Sequence, residues 1–158
     1  MNSLATELGE SEAWLDRQLA YGILRLTLGV NILVHGLVRL PELASFADGL
    51  VQAFAKTPLP SQMVRLFAFV LPFAETAVGL LLTLGLWTRL ALVGGGLLII
   101  ALVFGTALRS DWDTLGIQMI YAAIYYLLLV GRTCDRFSID HLRQKTPERN
   151  ELKKRTAL

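Results

Sequence analysis

Apolar residues in this chain gather into four long runs separated by short polar breaks: Leu19–Val38, Leu66–Trp87, Leu90–Leu108 and Leu115–Gly131. A membrane-crossing helix needs about 20 apolar residues for a hydrocarbon core ~30 Å thick. The first three runs meet that length, and the fourth is slightly shorter. Between the first and second runs, Pro41–Ala55 sets Leu43, Phe46, Ala47, Leu50, Val51 and Phe54 at helical spacing. One face is apolar, Pro41 suits the first turn, and the segment is too short to span. It predicts an interfacial helix. Lys56–Pro60, with two prolines, predicts a loop. Only Thr88 and Arg89 separate the second and third runs, so these predict antiparallel neighbours. The pattern thus predicts an all-α membrane protein, a four-transmembrane-helix bundle with a short interfacial helix in the first loop. Three segments follow: a polar lead-in over 1–18, the membrane domain over 19–131 and a basic tail over 132–158.

Composition supports this reading. Apolar residues make up 54% and charged residues 18% of the chain, against about one quarter charged in soluble domains. A soluble bundle of this size has too little interior to bury so many apolar faces. Cys134 is the single cysteine, which excludes an internal disulfide and a C-x-x-C pair. Residues Met1–Leu15 are acidic with no basic residue, unlike the start of a cleaved signal peptide, so the first span is expected to stay.

The Lys and Arg residues flanking the spans set an expected orientation. Arg17, Arg89 and the tail residues Arg132, Arg136, Arg143, Lys145, Arg149, Lys153, Lys154 and Arg155 lie on one side. Arg39, Lys56, Arg65 and Arg109 lie on the other. The richer side is expected to be cytoplasmic, with both termini inside. The tail itself reads as a solvated segment, with contact to anionic lipid as the second reading.

Ionisable side chains inside a span cost ~2.5–3.5 kcal/mol on insertion scales, so they mark where to look for function. The candidates are Arg25, His35 and Glu75, with Asn31, Gln118, Tyr121 and Tyr125 as polar neighbours. At a rise of ~1.5 Å per residue, Glu75 falls near the midplane, while His35 and Gln118 fall in the outer third. Asn31 and His35 are four apart and share a face, as do His35 and Arg39. Gln118, Tyr121 and Tyr125 line one face of the fourth span. Turned inward, these faces predict a polar interior biased to the outer half. Arg25 is expected to pair with Glu75 across an axial gap of ~7 Å.

Other roles stay open. Asn31 and Gln118 read as interhelical glue, and His35 either faces a ligand or bonds a backbone carbonyl. Pro72 frees the carbonyl of Ala68 and predicts a kink. Gly22, Gly29 and Gly36 form a stripe that lets another helix approach, and Gly94–Gly96 another. A bis-histidine haem is excluded because His141 lies in the tail, and no zinc-like spacing, phosphate loop or G-x-S-x-G elbow is present. The tail has no aromatic residue beyond Phe137, which argues against nucleic-acid binding.

The ordered set Leu24-Arg25-Leu26, Gly29 and Val34-His35-Gly36-Leu37-Val38-Arg39 resembles the first-helix pattern of the DoxX family. Pro72-Phe73-Ala74-Glu75, Gly79 and Leu84-Gly85-Leu86-Trp87-Thr88-Arg89 resemble that family's second helix. The resemblance implies a bacterial inner-membrane protein, linked to quinone or to oxidative stress. Two functions then compete. In the first, a redox subunit, quinone enters laterally as the cofactor or substrate, Glu75 and His35 act catalytically, and Arg25, Asn31, Gln118, Tyr121 and Tyr125 bind the ligand. In the second, a non-catalytic accessory or assembly protein docks a membrane or cytoplasmic partner, or a second copy, through its glycine faces and tail. No metal is expected in either.

Overall fold

The computed structural model describes residues 2–143, with side chains from residue 10 onward. Among the described residues the fold is built on the α-helices α1 (Asn2–Arg39), α2 (Leu43–Ala53), α3 (Ser61–Leu84), α4 (Thr88–Leu108) and α5 (Trp112–Val130). Four are long and apolar enough to cross a membrane, and among the described residues there is no strand. The interfacial helix is α2. Leu40–Glu42 forms a 3-10 turn carrying Pro41, which separates it from α1.

The apolar surface identifies the surrounding solvent. Val38, Leu66, Leu90, Ile100, Ile120 and Val130, from all four spans, are each more than 60% exposed. Apolar surface that wraps a molecule on every side has lipid, not water, as its neighbour. The buried core is smaller and runs from Tyr21, Leu28 and Ile32 of α1 through Val78 and Leu82 of α3 to Leu92, Ile99, Tyr125 and Leu128.

Packing of α1 on α3 is set by small residues. A Cβ at Gly29 would meet the backbone and hydroxyl of Thr83, and one at Gly36 would meet Thr76 and the Pro72 carbonyl. From the other side, a Cβ at Gly79 would collide with the backbone of Leu33. The glycine stripe of α1 is therefore consumed inside the chain at Gly29 and Gly36, while Gly22 lies against Phe137. It offers no free docking face, which corrects that part of the accessory reading. Gly96 does face open space, whereas Gly95 is filled by the ring of Tyr125.

The turn between α3 and α4 comes earlier than the apolar pattern predicts, at Gly85–Trp87 instead of Thr88 and Arg89. The reason is a helix stop. Gly85 adopts φ 64°, and the N–H of Leu86 bonds back to the Leu81 carbonyl at 2.9 Å. This is the left-handed helix end that glycine favours. Trp87 is also left-handed, at φ 47°. Asp140 holds it there: its two carboxylate oxygens accept from the N–H groups of Trp87 (2.9 Å) and Thr88 (2.8 Å), capping α4. The N-cap of α5 is Asp111, which accepts from the Thr114 N–H and hydroxyl. Those bonds, the hydroxyl's first, hold the Asp111 carboxyl below the usual carboxylate range.

Residues 131–143 fold back against this turn, so the first part of the basic tail is part of the bundle. The stretch of α1 around Gly22 and Arg25 lies here too, against Phe137, and we refer to this region as the tail end. The opposite end, with α2, is the loop end. Lys145, Arg149, Lys153, Lys154 and Arg155 lie outside the described residues.

Candidate functional site: a cavity at the loop end

Arg25 and Glu75 do not meet. Arg25, 1% exposed, points to the tail end. It donates to the carbonyls of Leu82 at 2.5 Å and Phe137 at 2.7 Å, and lies 3.5 Å from the Asp135 carboxylate. The last carbonyls of a helix lack intrahelical donors and carry the negative end of its dipole. The end of α3 is therefore a better partner for a guanidinium than a carboxylate deeper in the bilayer. Arg25 is a structural clamp and lies outside the cavity where its ligand-binding role was expected.

Glu75 pairs instead with Arg39, at 2.5 Å. The Glu75 side chain is 7% exposed and the Arg39 side chain 29%. Arg39 ends α1, and its long stem reaches back from the loop end while its guanidinium stacks over Phe46 of α2 at 4.9 Å. The pair forms part of the wall of a cavity of about 290 Å³. His35, Asn31, Gln118 and Tyr121 line the same space, together with Thr106 and Arg109. Contributions thus come from all four spans, with Phe46 and Leu50 of α2 and Phe54 just after it; the cavity is open, and Asn31 and His35 are exposed.

Polar groups in this cavity are only partly satisfied. His35 Nδ1 lies 3.0 Å from the Asn31 carbonyl. A carbonyl only accepts, so Nδ1 carries the hydrogen and a neutral ring keeps Nε2 as an acceptor. Tyr121 donates its hydroxyl to Asn31 Oδ1 at 2.9 Å. Gln118 donates Nε2 to the Thr106 hydroxyl at 2.9 Å, but its Oε1 is buried with no partner. A buried acceptor left unpaired costs about 1–3 kcal/mol. Arg109 stands over Phe54 at 5.5 Å, with Asp111 at 3.4 Å.

Of the seven residues proposed from sequence, five line this cavity: Glu75, His35, Asn31, Gln118 and Tyr121. Tyr125 does not. It is 5% exposed and packs on Gly95 in the core. Arg39, Arg109 and Thr106 were not proposed. Both arginines read from sequence as flanking charges, and only the spacing of Arg39 four residues after His35 hinted at more. Among the described residues, no group of three or more His, Cys, Asp and Glu is placed to hold a metal ion.

The fold and cavity define a small multi-pass membrane protein with a polar site built across four spans. The family model described as "Methylamine utilisation protein MauE" matches residues 17–114, more than half of the chain, and the chain belongs to this family. The match runs from α1 to the first turn of α5 and includes Arg25, His35, Arg39 and Glu75. It overturns the resemblance to the DoxX family, which is a different family. The motif behind that resemblance consists of glycines, leucines and isolated ionisable residues, which any closely packed helix pair in a membrane needs. The quinone link, drawn from that resemblance and from the inward polar groups, is not supported by the MauE match. No curated protein and no solved structure matches the chain.

Proposed function

We propose that this chain is a membrane accessory protein serving methylamine utilisation, and that the loop-end cavity is where it acts. The family name supplies the process. The observation that carries the cavity's role is the Arg39–Glu75 pair in its wall. A bundle needed only to span has no use for a buried carboxylate, which is costly to insert. Glu75, His35 and the Gln118 amide are the groups that contact the occupant. The Lys and Arg distribution supports a cytoplasmic tail end, which turns the cavity toward the outer side.

The test is complementation. In a host that grows on methylamine and lacks its own copy, the parent chain should restore growth. Glu75→Gln and Arg39→Gln, at equal membrane levels, should slow growth on methylamine several-fold and leave growth on another substrate unchanged. Normal growth with both variants would remove the cavity from the function. No restoration by the parent would remove the link to methylamine.

A further inference from the structure

The fold-back of residues 131–143 turns its acids inward and its bases outward. Asp135 faces Arg25, and its side chain is 7% exposed. Asp140 caps α4 through the Trp87 and Thr88 N–H groups. No other acidic residue lies in the segment. Arg132, Arg136 and Arg143 are exposed, as is Arg89, which follows the capped Thr88. Arg143 has Asp140 nearby. Arg89, Arg132 and Arg136 form no ion pair among the described residues. The nearest acid of α1, Asp16, lies roughly 9 Å farther out along that helix than Gly22. Three guanidinium groups are therefore left to find their counter-ions outside the protein.

Their depth identifies what surrounds them. Gly22 lies against Phe137 and is only three residues into the first apolar run, roughly 5 Å past its start. The fold-back thus sits at the boundary between hydrocarbon and water. Trp87 and Phe137 are both more than half exposed. Such rings suit the headgroup layer, which is apolar on one side and wet on the other. A guanidinium at that level reaches phosphate oxygens with two parallel N–H bonds.

We propose that the fold-back and the adjoining α3–α4 turn form a docking surface for anionic phospholipid. Phosphate groups seat on Arg89, Arg132 and Arg136, and Trp87 and Phe137 lie among the glycerol and upper acyl carbons. Three cations without protein partners favour a lipid of net negative charge over a zwitterionic one. The occupant is lipid and not an acidic protein because these side chains lie at the depth where headgroups already surround the bundle. The inference is independent of the loop-end cavity and of methylamine.

Purified full-length protein in detergent is titrated with dioleoylphosphatidylglycerol and with dioleoylphosphatidylcholine, which share their acyl chains, and retention is read by native mass spectrometry. The anionic lipid should be retained at least about tenfold more strongly. Arg89→Gln, Arg132→Gln and Arg136→Gln should each lower that preference about fivefold, and the triple variant should abolish it. The three side chains are exposed and hold no partner, so the fold should tolerate the changes, checked by unchanged elution and helix content. A control variant, Lys145→Gln with Lys153→Gln and Lys154→Gln, removes the same charge from the end of the chain and should keep the preference. Equal retention of the two lipids by the parent would overturn the proposal. So would an unchanged preference in all three single variants, or a loss in the control as large as in the triple variant. A photo-crosslinker in place of Phe137 should capture phospholipid in native membrane, and capture of a polypeptide instead would overturn the choice of lipid.

Discussion

Arg25 and Arg39 lie on one helix and would look alike in any hydropathy profile, yet they serve opposite ends of the bundle. Each goes to the nearest strong acceptor it can reach. For Arg25 these are the carbonyls of Leu82 and Phe137 and the Asp135 carboxylate. For Arg39 it is Glu75. Sequence spacing alone favoured Arg25 for Glu75 because most acceptors of Arg25 are not side chains. Three are backbone carbonyls, of Leu82, Thr83 and Phe137, and the Asp135 carboxylate belongs, with Phe137, to a segment that reads as solvated tail. The residue-scale prediction follows. Removing one member of a buried ion pair costs about 3–5 kcal/mol. Arg25→Gln should destabilise the protein by about that much, measured by denaturant unfolding in detergent. A variant as stable as the parent would show that the carbonyls are satisfied without it.

At the scale of elements, the interface between α1 and α3 depends on glycines more than on the large apolar residues that draw attention in the sequence. Gly29 and Gly36 on one helix and Gly79 on the other bring backbone against side chain and backbone against backbone. Thr76 and Thr83 sit in the contact and bond back to Pro72 (2.7 Å) and Gly79 (2.8 Å), so their hydroxyls are satisfied within α3. Overpacking such a contact costs about 1–3 kcal/mol. Gly79→Ala should destabilise the bundle by that amount, whereas Gly96→Ala, which meets open space, should change stability by less than about 0.5 kcal/mol. Equal melting of the two variants would contradict the close approach at Gly79. The stripe at Gly22, Gly29 and Gly36 was visible from its period of seven. Which helix it faced was not, because a glycine records only that something comes close.

For the whole molecule, the number of spans and the helix in the first loop were legible because hydrocarbon thickness and helical rise leave few alternatives. The cavity was legible in outline, since polar residues in a span must turn inward. Its membership was not: Arg39 joins it through Glu75 and the ring of Phe46 in α2, and Arg109 stands over Phe54, just past the end of α2. The family was not legible either, because the motif that suggested one small membrane family is compatible with another. Orientation can be tested directly. In a Cys134→Ser background, Ser110→Cys should react with a membrane-impermeant maleimide on intact cells, and Asn150→Cys only after permeabilisation. The reverse pattern would place the loop end in the cytoplasm.

The fold-back of the chain after α5 also sets a schedule. Arg25 emerges from the ribosome 112 residues before Phe137, whose carbonyl it will hold. Asp135 and the α4 cap Asp140 come equally late. Until then the Arg25 cation has the carbonyls at the end of α3 but neither the Phe137 carbonyl nor a carboxylate, and α4 begins without its cap. The tail end of the bundle can therefore be sealed only once synthesis has passed residue 140, so a chain arrested after the fourth span would be inserted but not locked.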